Sequence, residues 1–394
     1  MKPTLRIGRR QFMLAADEVY LNAGTFSALP RAVFQALVRE LAAAESNPTR
    51  IAAENSRAPL WAVQQVIAAY VGAEPCDILF RENVTQALNL ALFALPWEKG
   101  GELLVTDHEY GAIVNAAREM ARRRALSIRV LRLPRDPGNE DDLCAAVLQA
   151  LGPRTTGVLL SHVMTATGLV MPVARIARAL RRRGVRLIVD GAHGPGLVPL
   201  RLAATEIDVY GGNLHKWFMG PKGTGFLYVN RRLHKLMEPI VVGWGGTPRD
   251  RHAPVDPVQG YTERFQYVFR MQGLRDFAPF LALKATLDFR RQHGEARIMR
   301  RVQELGAYAR QKLAGELGLE CLSPRAGLQA GLLAFRPPPA WRRPDASERL
   351  FRKHRITVPF WHEPARGFLM RVSPHVWNDE SDIDRLAQGL RAKP

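Results

Sequence analysis

Short apolar runs recur ahead of helix-period segments along the first half of the chain: Ile78 to Phe80, Leu103 to Val105, Val158 to Leu160 and Leu187 to Val189. That alternation predicts an α/β domain around a largely parallel sheet. Two of its helices are well marked. Val84, Ala87, Leu88, Ala91, Leu92 and Leu95 follow the i, i+3, i+4, i+7 spacing of a single buried stripe, directly after a strand ending near Arg81. Pro172 opens and Gly184 closes the other, whose apolar positions are Val173, Ile176, Ala177 and Leu180. From about Asp276 a long helical pattern runs to about Leu317, and strand candidates follow at Leu332 to Phe335 and Phe368 to Val372. These predict a second, smaller α+β domain, in which Pro337-Pro338-Pro339 is a loop because proline donates no backbone hydrogen bond. The expected division is an N-terminal segment 1–19 packed on the small domain, a large domain 20–275 and a small C-terminal domain 276–394.

Composition narrows the class. With 394 residues, 47% of them apolar, the chain can fill the cores of two or three domains, and no run of about 18 uncharged apolar residues offers a membrane span. Lys and Arg number 56 against 37 Asp and Glu, and the net charge of +19 attracts anionic partners. Much of the excess sits in helical stretches such as Arg118, Arg122, Arg123 and Arg124, which read as a solvated helix face; a nucleic-acid role is disfavoured because no recognised nucleic-acid module accompanies them. The three cysteines, Cys76, Cys144 and Cys321, form no C-x-x-C pair and fit a reducing cytoplasm better than a disulfide framework. Arg9-Arg10-Gln11-Phe12-Met13 resembles part of a twin-arginine export signal, but Asp17 and Glu18 cut off the apolar region such a signal requires.

Three segments carry candidate chemistry. Leu187 to Gly194 is a buried strand ending on Asp190, then a turn and His193, where α/β sheets place ligand groups. Gly211 to Phe226 sets Lys216 on a glycine-rich loop beside Trp217; burial behind an aromatic screen lowers a lysine pKa and makes a Schiff-base nucleophile. Glu82 to Gln86 opens a helix whose exposed N–H groups and dipole suit a phosphate. Singly, Asp190 is also read as a turn cap, Lys216 as a surface lysine, and Asn83 or Thr85 as an ordinary helix cap. Together, phosphate cradle, strand-end aspartate and loop lysine form the working parts of a pyridoxal 5'-phosphate site. A metal centre built from Asp190, His193, His108 and His162 is disfavoured, since no H-E-x-x-H or similar ligand spacing occurs and Lys216 is left idle.

The run N-L-H-K-W-F-M-G-P-K-G-T-G-F-L-Y-V, with V-D-G-A-H-G and T-D-H-E-Y-G-A before it, resembles the class V aminotransferase family of fold type I pyridoxal phosphate enzymes, in its isopenicillin N epimerase-like branch. Tyr20 to Pro30, Ser161 to Val173 and Met370 to Asp384 extend the likeness over most of the chain. The resemblance implies a mostly parallel seven-stranded α/β/α domain, a smaller C-terminal domain and a homodimer. It implies that Lys216 holds the cofactor as a Schiff base and then moves the Cα proton, and that Asp190 pairs with the pyridinium nitrogen. By the same resemblance, His108 stacks on the ring, His193 lies near the phenolic oxygen and Thr165 approaches the ring. Asn83, Val84, Thr85 and His215 contact the phosphate. Arg371 clamps the substrate carboxylate, a task suited to guanidinium, and Asn22 lines the substrate entrance.

Two positions depart from the family pattern. Leu274 stands where a threonine commonly reaches the neighbouring subunit's phosphate, with Gln272 as a substitute, and Asn213 stands where other branches carry Ser or Thr. Trp244 is a candidate for the dimer interface and equally for a buried tryptophan in a tight loop. The implied function is transformation of an amino acid or amino-acid-derived substrate through a Cα carbanion, by epimerisation or carbon–sulfur β-elimination ahead of transamination. Desulfuration through a persulfide is disfavoured, because Trp361 to Gly367 contains no cysteine.

Overall fold

The computed structural model describes residues 5, 7–55, 58–243, 245–246, 263–270, 272–325, 327–363 and 366–392. Its strands in the first two-thirds of the chain are β1 (Val19–Tyr20), β2 (Ile78–Arg81), β3 (Glu102–Thr106), β4 (Ser127–Leu131), β5 (Thr155–Ser161), β6 (Arg186–Gly191), β7 (Val209–Asn213) and β8 (Gly225–Val229). Seven of these form one sheet in the order β2-β8-β7-β6-β5-β3-β4. Every neighbouring pair is parallel except those made by β8, which runs antiparallel to both β2 and β7. The expected α/β class with a largely parallel seven-stranded sheet is what the chain adopts.

Strand residues alternate between two buried faces, which is why these strands read as continuous apolar runs. Leu103, Val105, Leu159, Ile188 and Val209 pack with helices Val84–Ala94 and Gly111–Arg124. Leu104, Val158, Leu160, Leu187 and Val189 pack on the other face with helices Ala58–Val71 and Val173–Arg181. Two strands have no comparable run. β4 is an edge strand with Val130 exposed, and β7 contains Gly211-Gly212. There a Cβ on Gly212 would lie 2.3 Å from the Phe226 ring, so bulk is excluded by the sheet's own packing.

Later strands are β9 (Leu333–Phe335), β10 (Ile356–Thr357), β11 (Phe360–Glu363) and β12 (Gly367–Val372). They make an antiparallel sheet β11-β12-β9, while β1 pairs parallel with β10 and so ties residues 19–20 to the C-terminal region. Helix Glu295–Arg310 and helix Glu380–Arg391 cover this part, whose core includes Val19, Leu305, Leu333, Trp341, Met370 and Ile383. Helix Leu283–His293 packs differently: Leu283 and Leu287 sit in the core under the large sheet. Part of the stretch after the expected boundary at 276 therefore packs with the large sheet, and Ile298 and Val302 of the next helix still share a core with Val163, Leu197 and Trp217.

At the junction Gly196 has φ +85°, and a Cβ there would fall 2.4 Å from the Trp217 backbone carbonyl. Gly196→Ala is expected to cost about 2 kcal/mol or more through positive-φ strain plus this clash. The fall in denaturant midpoint at unchanged m-value measures it, and an unchanged midpoint contradicts it.

Candidate active site

The carboxyl ends of β6 and β7 and the start of helix Val84–Ala94 enclose a cavity of about 400 Å³. Ligands in open α/β sheets bind at such strand ends. Asp190 closes β6, buried, with Oδ1 accepting the Ala192 N–H at 2.9 Å; its cavity neighbour Lys216 follows β7. Burial raises the Asp190 pKa, opposed by the Ala192 N–H and the Lys216 charge. Burial lowers the Lys216 pKa to about 8, aided by the Arg371 charge and opposed by Asp190. An amine that is half neutral at about pH 8 is a readier nucleophile for an aldehyde than a solvated lysine.

Asn83 caps the helix, Oδ1 accepting the Gln86 N–H at 3.0 Å. Asn213 contributes something the sequence did not disclose: its Oδ1 accepts the Val84 N–H at 3.0 Å and so fastens the helix start to the end of β7. That bond occupies one backbone donor counted toward a phosphate, leaving Asn213 itself, Thr85 and His215 among the polar wall. His215 Nδ1 lies 2.9 Å from the Thr224 carbonyl, and burial drops its pKa to about 4.

Arg371 enters from β12. It is buried, lies 5.7 Å over the Trp361 ring, and donates to Thr25 Oγ1 at 2.7 Å and more weakly to Asn22 Oδ1 at 3.4 Å. Its Nε has no hydrogen-bond partner among the described residues, and burial lowers its pKa to about 10. Gly24 permits this approach, since a Cβ there would lie 3.2 Å from the guanidinium.

The cavity wall thus brings together Asn83, Val84, Thr85, Thr165, Asp190, His215, Lys216 and Arg371. Asn22 reaches it through Arg371, and His193 stands behind Thr165, with Nε2 3.1 Å from Thr165 Oγ1. His108 is placed otherwise than expected. Asp107-His108 forms a turn, which sets the imidazole 2.8 Å from Asp107 Oδ1 and against the Arg366 guanidinium. Tyr110, at the start of helix Gly111–Arg124, lines the cavity in its stead. Trp217, next to Lys216, is fully buried, and its indole donates to His193. Thr25, Phe26, Tyr110 and Ile113 are wall residues the sequence reading did not single out. Gln272 is engaged within the chain, donating to the Val241 carbonyl, while Leu274 is 81% exposed. Trp244 lies outside the described residues.

The remaining charge has ordinary partners or none of chemical interest. Glu119 pairs with Arg122 and Arg123 on an exposed helix face, as a solvated surface requires. A larger cavity of about 830 Å³ is walled among others by Arg231, His234, Glu263, Phe265 and Phe269. Among the described residues no helix is long and apolar enough to cross a membrane.

An aldehyde-reactive amine, a buried carboxylate, a helix start with polar flanks and an unpaired guanidinium around one cavity fit pyridoxal phosphate and an amino acid. The comparisons agree. Residues 19–386 match the family model described as aminotransferase class-V. An isopenicillin N epimerase of Amycolatopsis lactamdurans is 37% identical over 390 residues, 97% of each chain. A hercynylcysteine sulfoxide lyase of Schizosaccharomyces pombe is 25% identical over 390 residues (97% of this chain, 96% of that one). A probable cysteine desulfurase of Methanothermobacter thermautotrophicus is 25% identical over 403 residues, with the same coverage. A solved structure of a C-DES mutant with glycine covalently linked to the PLP cofactor superposes with a TM-score of 0.85 at 25% identity, covering 98% of this chain and 100% of that one. A match across almost the whole chain, centred on a cavity with this chemistry, leaves one conclusion: the chain is a pyridoxal phosphate-dependent enzyme of the class V aminotransferase family.

Proposed function

We propose that this enzyme abstracts the Cα proton of a carboxylate-bearing amino acid or amino-acid-derived substrate, with epimerisation or carbon–sulfur β-elimination as the outcome ahead of transamination. The observation that carries the reading is Arg371, a buried cation with no carboxylate partner among the described residues, in the same cavity as Lys216 and Asp190. A buried guanidinium without a counter-ion is costly unless a ligand supplies one.

Bound pyridoxal phosphate supplies the electron sink that makes a Cα proton acidic. Lys216 Nζ would hold it, and the same amine is placed to serve as the base that moves the Cα proton. Asp190 would pair with the ring nitrogen and, where the Ala192 N–H and the Lys216 charge offset its burial, would keep that nitrogen protonated. Asn83, Thr85 and His215 are assigned to the phosphate, with Asn213 added in place of Val84, whose N–H it already holds. Thr165 and His193 are assigned to the ring's oxygen, and Asn22 with Thr25 orients Arg371 toward the substrate carboxylate. Tyr110 replaces His108 as the side chain for the ring face.

Epimerisation draws support from the 37% identical relative named for it, and β-elimination from the lyase at 25%. Persulfide chemistry lacks its nucleophile here: no residue from Trp361 to Gly367 is cysteine, and Cys321 bridges Phe335 on the small sheet. A panel of amino acids assayed for Cα deuterium exchange, inversion, pyruvate and keto-acid release separates the outcomes. Exchange with inversion or pyruvate release is expected, and no exchange with any member overturns the reading.

Capture of pyridoxal phosphate by cofactor-free protein should also accelerate as pH rises through about 8, because only neutral Lys216 attacks and its pKa is lowered to that value. The growth rate of visible absorbance reads this. A pH-independent rate would show that another group limits capture. We further propose a homodimer closing around the cavity mouth, where the lining residues Phe26 and Tyr110 remain about half exposed. Sedimentation equilibrium of the purified protein tests it, a monomer being the contrary result.

A further inference from the structure

Behind the cavity wall lies a chain of hydrogen bonds whose direction is set by groups that can only donate. The Val376 N–H lies 2.8 Å from His375 Nδ1, so that nitrogen accepts and the His375 proton resides on Nε2. His375 Nε2 lies 3.1 Å from the Trp217 carbonyl and donates to it. The Trp217 indole N–H has no acceptor capacity, and it lies 3.0 Å from His193 Nδ1. Nδ1 of His193 therefore accepts too. Burial holds both imidazoles neutral, with pKa values far below the ordinary histidine range. The single proton of His193 is then on Nε2, 3.1 Å from Thr165 Oγ1. Thr165 accepts that bond, which leaves its own hydroxyl proton to be given into the cavity it lines.

We propose that Trp217 is a positioning residue which locks His193 in the Nε2–H tautomer and so presents Thr165 as a hydrogen-bond donor to an anionic oxygen of the bound cofactor. The donor half of this statement rests on the functional reading above; the tautomer half is a property of the chain alone. The opposite tautomer would set His193 Nδ1–H against the indole N–H, two buried donors with no acceptor between them. The indole cannot turn aside to relieve that contact. It is fully buried, stacks on His375 at 5.9 Å and 23°, and its carbonyl also accepts Arg290 at 2.8 Å. Gly196 is packed against the same peptide. The lock thus runs from the segment after β12, through the peptide next to Lys216, to the wall of the site.

Protein labelled with ¹⁵N-histidine, with and without pyridoxal phosphate, is examined by long-range ¹H–¹⁵N correlation, the signals assigned with His193→Asn and His375→Asn. Protonated Nε2 and bare Nδ1 are expected for both residues in both samples. In Trp217→Phe the His193 signals should move toward a tautomer mixture while those of His375 stay, which also reports that the variant is folded. Should that variant fail to fold, the wild-type spectrum still decides the lock. For the donor half, Thr165→Val should raise the pH midpoint of the cofactor's visible band by about one unit, since a donor to the anionic oxygen is lost. A protonated Nδ1 in the wild type, or a His193 tautomer unmoved in folded Trp217→Phe, overturns the lock. An unmoved midpoint in Thr165→Val overturns the donor role. Failure of the wild type to take up any pyridoxal phosphate overturns the functional reading instead, and the tautomer spectrum of the cofactor-free sample still tests the lock.

Discussion

Lys216→Ala is expected to lower turnover by about 10³-fold or more and to abolish the cofactor adduct that borohydride fixes in the wild type. Two separate losses combine. The amine that anchors the cofactor disappears, and so does the base placed at Cα, a role that by itself contributes about 10²–10⁴-fold. Burial and the Arg371 charge bring the Lys216 pKa down to about 8, and a solvated lysine elsewhere on the surface has neither advantage. The nearest rival is Lys222 on the same loop, which is committed to the Ser27 carbonyl at 2.6 Å. Mass spectrometry of peptides after reduction distinguishes the two. Turnover within about ten-fold of the wild type, or a reduced adduct on Lys222, would remove Lys216 from the mechanism.

Arg371→Met should raise KM for the best amino-acid substrate by about 10²–10³-fold, the cost of losing a desolvated charge pair of about 3–4 kcal/mol. The same change is expected to stabilise the substrate-free protein by about 1 kcal/mol. The sign follows from opposing effects: the buried cation, its pKa pulled down to about 10, carries a desolvation penalty of about 2–3 kcal/mol, while the lost bonds to Thr25 and Asn22 give back about 1–2 kcal/mol. Stability and affinity therefore move in opposite directions, as expected of a group held for its ligand. Amines lacking the carboxylate should be processed equally by both proteins, which separates a carboxylate clamp from general damage. A variant that is less stable and unchanged in KM would make Arg371 a structural residue.

How far the site could be read from the chain depends on how local each geometry is. Asp190 and Lys216 lie at the ends of β6 and just after β7, in strand–turn segments whose form is dictated by neighbouring residues, so both were legible. His108 was not, although the T-D-H-E-Y-G segment was recognised. A turn at Asp107-His108 breaks the period of two beyond β3, and His108 lies against Arg366, a residue 258 positions away that no local pattern brings to it. Asn213 was noticed as an exception, but its bond to Val84 spans 129 positions and needed the sheet to bring the partners together. Thr25 lay inside a recognised segment without a role, because its partner Arg371 arrives from the far end of the chain.

Fold class and cofactor were carried by apolar periodicity and short strand-end motifs, which act over a few residues and which also put Asp190 and Lys216 beside the strand ends where the cavity lies. Only the tertiary structure decided which aromatic faces the cavity, where the packing passes from the large sheet to the C-terminal core, and how the Trp217–His193–Thr165 chain is polarised. Those features depend on groups distant in the chain meeting at distances of about 3 Å, a condition of close packing that no local pattern encodes.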